Sequence, residues 1–70
     1  MAKVSIDNGR KYLDATEAIP QIVERNLWDA LVNVMDDSIR EDVTAELAPC
    51  TNEQFLTRYL EMAGDDLVIG

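Results

Sequence analysis

A small α+β fold is what this sequence predicts, and three observations carry the prediction. An Asn8-Gly9 dipeptide lies between two short β-compatible runs, apolar residues keep helical spacing between cap signals from residue 20 to residue 63, and an apolar run, Leu67-Val68-Ile69, closes the chain. An isolated hairpin is marginal in water, so the terminal run is expected to join it in a small sheet carrying three helices.

Asn-Gly is the dipeptide preferred by a two-residue type I′ turn, because both central residues need a positive φ. The strands are therefore expected at 3–7 and 10–14. This register sets Val4 opposite Leu13, Ser5 opposite Tyr12, Ile6 opposite Lys11 and Asp7 opposite Arg10. Opposed residues share a face, so Val4, Ile6 and Leu13 fall together, while Lys3–Asp14 and Asp7–Arg10 pair on the other side.

Asp14 or Thr16 can cap a short helical turn that Pro20 then kinks, since proline disfavours helical geometry at Ile19 and has no amide proton. Pro20 suits the first turn of a longer helix, expected at about 20–35, with Ile19, Ile22, Val23, Leu27, Ala30, Leu31 and Val34 on its apolar side. Ser38-Ile39-Arg40-Glu41 fits a capping box and predicts a second helix over about 39–48, with a narrow stripe of Ile39, Val43 and Leu47. Thr51-Asn52-Glu53-Gln54 is another capping box, with Cys50 and Phe55 as the two halves of a hydrophobic staple. The third helix is expected over 52–63, burying Phe55, Leu56, Tyr59, Leu60 and Ala63 and ending at a left-handed Gly64.

The 70 residues, numbered 1–70, are expected to form one domain. Hydrophobic residues make up 47% of the chain but never run long enough for a membrane span or a signal-peptide core, so a soluble, cytoplasmic protein is expected. Six basic and fourteen acidic residues give a net charge of −8. From Tyr12 onward the count is three basic against thirteen acidic. Such a body repels nucleic acid and anionic lipid, and its natural complement is a basic surface.

The chain has no histidine, which removes histidine-based nucleophile pairs, histidine general bases and most zinc or iron sites. Its three glycines, Gly9, Gly64 and Gly70, are scattered, so no phosphate loop exists. Calcium loops need oxygen ligands at fixed offsets and a glycine at the sharp turn, a pattern missing around 36–46 and 65–66. No enzyme, cofactor or metal site is expected. Cys50, the single cysteine, could be activated by the start of the third helix, but a small buried hydrophobe in the staple is the plainer reading.

Asp36, Asp37, Glu41, Asp42 and Glu46 place five carboxylates in eleven residues, opposed only by Arg40. This strip can imitate the charge of nucleic acid and occupy a basic groove, or it can be an ordinary solvated face. Trp28, Val32 and Met35 lie beside the apolar stripe of the central helix. They complete the core, or Trp28 anchors a partner. The second and third helices can also be read as a helix-turn-helix, against which the acidic setting of Glu53 and Glu61 speaks.

The segments Val34-Met35-Asp36-Asp37, Arg40-Glu41, Glu46-Leu47-Ala48-Pro49-Cys50-Thr51, Glu53, Phe55-Leu56 and Arg58-Tyr59-Leu60 resemble a group of small acidic proteins found in conjugative elements of gut anaerobes. The resemblance covers about half of the chain and brings no assigned activity, cofactor or site residues. Mobile elements often carry small acidic inhibitors of restriction or CRISPR defence, so it implies a charge mimic. The leading expectation is a non-enzymatic interaction protein meeting a basic protein partner through Asp36, Asp37, Glu41, Asp42, Glu46 and Trp28. The alternative is a homodimer or higher oligomer formed through Trp28, Val32, Met35 and Leu67 to Ile69, with a DNA-binding regulator third.

Overall fold

The computed structural model describes residues 2–70. Along the chain run β1 (Val4–Ser5), α1 (Ala15–Glu24), α2 (Trp28–Val34), α3 (Asp37–Leu47), α4 (Asn52–Ala63) and β2 (Leu67–Val68). The α+β class is as expected, with four helices among the described residues in place of three.

The hairpin survives only at its two ends. Asn8 and Gly9 have φ values of 60° and 85°, as a type I′ turn demands, and the Arg10 amide donates to the Asp7 carbonyl at 3.4 Å. Val4 and Leu13 exchange both backbone hydrogen bonds, at 2.9 and 2.7 Å. Bonded pairs in an antiparallel ladder recur at every second residue. Asp7–Arg10 and Val4–Leu13 are three residues apart and cannot belong to one ladder, so the expected strands 3–7 and 10–14 open into a loop. Side chains hold that loop. The Ser5 hydroxyl donates to Asp7 Oδ1 at 2.9 Å and accepts from the Gly9 amide at 2.7 Å, while Asp7 Oδ1 accepts from the Lys11 amide at 2.9 Å. These bonds satisfy a hydroxyl that is otherwise fully buried. The expected facing is kept in part: Val4, Ile6 and Leu13 are all buried and Lys3 Nζ lies 3.7 Å from Asp14. Ser5 of the other face is buried as well, and the Asp7 carboxylate is taken by Ser5 and the Lys11 amide in place of an ion pair with Arg10.

β2 pairs with β1 in parallel, Val4 opposite Leu67 and Ser5 opposite Val68. The terminal strand thus pairs within the chain. Asp66 fixes its entry by accepting the Lys3 amide at 2.7 Å.

The long helix expected at 20–35 is two helices, and its start lies earlier than Pro20. α1 begins at Ala15 and runs through Pro20, so the proline marks neither a start nor a stop. The break comes at Asn26, whose φ is 54°. There the Asn26 amide donates to the Val23 carbonyl at 3.2 Å and the Leu27 amide to the Ile22 carbonyl at 2.8 Å. This pair of bonds is a Schellman motif, with asparagine in the left-handed position usually held by glycine. The chain changes direction there, and the expected stripe splits. Ile22 and Leu31 are fully buried, whereas Val23 and Val34 are 62% and 44% exposed. Met35, expected beside the stripe, is buried.

α3 starts earlier than the Ser38 box implies. Asp36 is its N-cap, with Oδ1 accepting from the Ile39 amide at 3.1 Å, and Ser38 lies inside the first turn. α4 has the expected bounds. Thr51 and Gln54 form the reciprocal capping box, and Gly64 closes the helix at φ 72°. Cys50 is exposed, so the anticipated staple with Phe55 is missing its apolar half. α4 is the central element: α1 and α3 both pack against it, α2 contacts β2, and α1 contacts β1. Val4, Ile22, Leu31, Val43 and Leu56 are fully buried at the centre. Each such side chain stabilises the fold by about 1.5–3 kcal/mol relative to exposure.

Candidate partner-binding face

Val43 fixes the rotation of α3, because it is fully buried while Ile39 and Leu47, one turn to either side, are half-buried. The remaining arc faces water, and the carboxylates occupy it in two rows. Asp37 and Glu41 form one i,i+4 row and Asp42 and Glu46 the other. Adjacent residues are about 100° apart around a helix, so the acidic residues wrap the exposed half of α3 and do not form the single strip read from the sequence. Like charges at i,i+4 repel by about 0.2–0.5 kcal/mol per pair. The arrangement therefore costs the helix stability.

The five carboxylates are not equivalent. Asp36 is spent on its capping bond, and its own amide donates to the Tyr59 hydroxyl at 2.7 Å. Asp37 meets Arg40 at 3.2 Å. Glu46 meets Arg58 of α4, with Oε1 3.1 Å from Nε, and the same guanidinium reaches Glu61 at 3.2 Å. The hydrogen bond and the charge of Glu46, followed by those of Glu61, raise the Arg58 pKa further above its usual range. All these pairs are substantially exposed, where each contributes about 0–1 kcal/mol. Glu41 and Asp42 are exposed and have no cation within ion-pair distance among the described residues. They are the free charges of the face.

Trp28 opens α2 and is half-buried. Its ring meets Phe55 of α4 edge to face, centroids 6.1 Å apart at 72°, a geometry favoured by ring quadrupoles. Trp28 is thus built into the fold while keeping part of its surface in water. Of the other residues considered for self-association, Met35, Leu67 and Ile69 are buried within the chain. α4, the helix once readable as a DNA recognition helix, is packed by α1 on one side and α3 on another.

Tyr59 is buried on α4 as expected, but its positioning role was not foreseen from the sequence. It is 2% exposed, and its hydroxyl holds the first residue of the acidic segment from 23 positions away. No local pattern signals such a bond. Arg58 could have been found, because its i,i+3 spacing to Glu61 is readable on a helix. Among the described residues no group of three or more cysteines and carboxylates could hold a metal ion. No helix among them is long and apolar enough to cross a membrane.

A family model described as "Anti-CRISPR protein AcrIC5" matches residues 23–62, more than half of the chain. The matched span contains Trp28, the whole of α3 and nearly all of α4. No curated protein and no solved structure matches the chain.

Proposed function

From the premise that the chain belongs to the anti-CRISPR AcrIC5 family, we propose that it inhibits CRISPR defence without catalysis, by laying the acidic half of α3 on a basic, nucleic-acid-binding surface of a defence protein in the cytoplasm. Family membership supplies the defence target and agrees with the mobile-element resemblance. The face is our own assignment. Asp37, Glu41, Asp42 and Glu46 would stand in for backbone phosphates, and Asp36 would hold the end of the array. Half-exposed Trp28 would add an apolar anchor, the type of residue that dominates protein interfaces.

The observation that carries this reading is the pair of like-charge i,i+4 rows on α3. A face selected only for solubility would mix signs along each row and gain stability from doing so. Among the described residues Glu41 and Asp42 have no cation partner, and the helix bears the repulsion. Net charge also matters, since an acidic body steers toward a basic groove and speeds association.

The test is capture of a purified CRISPR surveillance complex on immobilised chain, eluted by rising salt. Retention at low salt and release by salt, both lost in Glu41→Lys/Asp42→Lys, is the expected result. Retention unchanged by that double substitution would sink the assignment of the face while leaving family membership intact.

A further inference from the structure

We propose that the groove between the start of α1 and the end of α4 is a second contact site, one that takes an arginine side chain of a protein partner. Its volume is about 680 Å³, within the roughly 300–1,000 Å³ of ordinary ligand clefts. Ala15 and Leu60, both nearly buried, give it an apolar floor, and Asp14, Glu61, Asp65 and Asp66 line it as well. No residue of α3 contributes. The site is therefore distinct from the face assigned above and is linked to it only through Arg58, which pairs with both Glu46 and Glu61.

The occupant follows from charge and shape. Two of the carboxylates have cation partners, Asp14 with Lys3 and Glu61 with Arg58. Asp66 accepts the Lys3 backbone amide. Asp65 is exposed, with no partner among the described residues. Four carboxylates against two cations leave the groove negative, which excludes an anionic guest and favours a cation. An apolar floor beneath a carboxylate rim is amphipathic, and an arginine side chain matches it. Its aliphatic stem covers alkyl surface while its planar guanidinium takes carboxylate oxygens two at a time. A lysine offers the stem but only a compact point charge. The guanidinium would lie over Asp65 and exchange with the loosely held Lys3 ammonium at Asp14, a contact 3.7 Å long and largely exposed.

The test titrates N-acetyl-arginine amide into the ¹⁵N-labelled chain at low ionic strength, with N-acetyl-citrulline amide as the isosteric neutral control. Saturable amide shifts at Thr16, Leu60 and Asp65 are expected for the arginine compound and not for the citrulline one. Asp65→Asn should weaken the binding by about two- to fivefold, the range of one exposed ion pair. Asp65 lies in an exposed turn, so this variant should fold, and the wild-type spectrum with the two probes tests the site regardless. Absence of saturable shifts at the groove, equal shifts with citrulline, or shifts confined to α3 would each overturn the proposal.

Discussion

Replacing Glu41 by lysine should make the protein more stable and less active at once. Glu41 faces Asp37 one turn away on the exposed side of α3 and has no cation of its own among the described residues. The substitution removes one like-charge i,i+4 repulsion and installs an acid-before-lysine pair, the favourable orientation. Each change is worth about 0.2–0.5 kcal/mol, giving roughly 0.4–1 kcal/mol at low ionic strength. Lowering the net charge from −8 acts in the same direction. A chain of this size gains about 4–8 °C in Tm per kcal/mol, so Tm should rise by roughly 2–8 °C, read from Trp28 fluorescence or circular dichroism during heating. If α3 meets a basic surface, the same lysine places like charges together across the interface. That juxtaposition costs several kcal/mol, and inhibition of CRISPR interference in a plaquing assay should fall by about tenfold or more. A stabilised variant that inhibits like wild type would refute the functional reading. A destabilised variant would refute the helix geometry on which the calculation rests.

Three further outcomes follow from the fold. Tyr59→Phe removes the partner of the part-buried Asp36 amide and should cost about 0.5–1.5 kcal/mol. Urea titration showing no change in midpoint would contradict the role given to that hydroxyl. Asn26→Ala puts a β-carbon with no compensating polar group in the left-handed position and should cost about 1–2 kcal/mol, whereas Asn26→Gly should not, again by urea titration. Asp7 carries the pH prediction. The Ser5 hydrogen bond, partly opposed by desolvation and aided by the Lys11 amide, holds its carboxyl below the ordinary value of 3.8. A depressed folded pKa contributes stability that is present above the unfolded pKa and lost as pH falls through the folded one. Asp7→Asn should therefore flatten the stability profile at the acid end, below pH 3.8, and an unaltered profile there would count against the loop geometry.

Local chemistry made some of this legible and tertiary contacts decided the rest. α4 could be bounded from its ends alone, because Thr51, Gln54 and Gly64 act within one turn of themselves. The Val4–Leu13 register could be found because Asn8-Gly9 sets both the turn and the count. The break at Asn26 was hidden, since apolar spacing continues unchanged across it and asparagine has many other uses. Asp36 and Ser38 are both good cap residues two positions apart. The choice between them goes to Asp36, whose amide is tied to the buried Tyr59 hydroxyl 23 residues on. The carboxylates of α3 were visible as a group. Their division into two rows depended on the phase that Val43 sets, and their pairing with Arg58 depended on α4 lying alongside. The groove joins Asp14 and Ala15 to Leu60, Glu61 and Asp65, residues that only the packing of α1 on α4 brings together.

Competition for nucleic acid is the most direct measurement of the central claim: binding of target DNA by a purified CRISPR surveillance complex, followed with increasing amounts of wild-type chain or of Glu41→Lys/Asp42→Lys. Loss of DNA binding with wild type, weakened by salt and absent with the double variant, is the predicted result. Equal displacement by both proteins, or inhibition of interference with DNA binding left intact, would contradict the account.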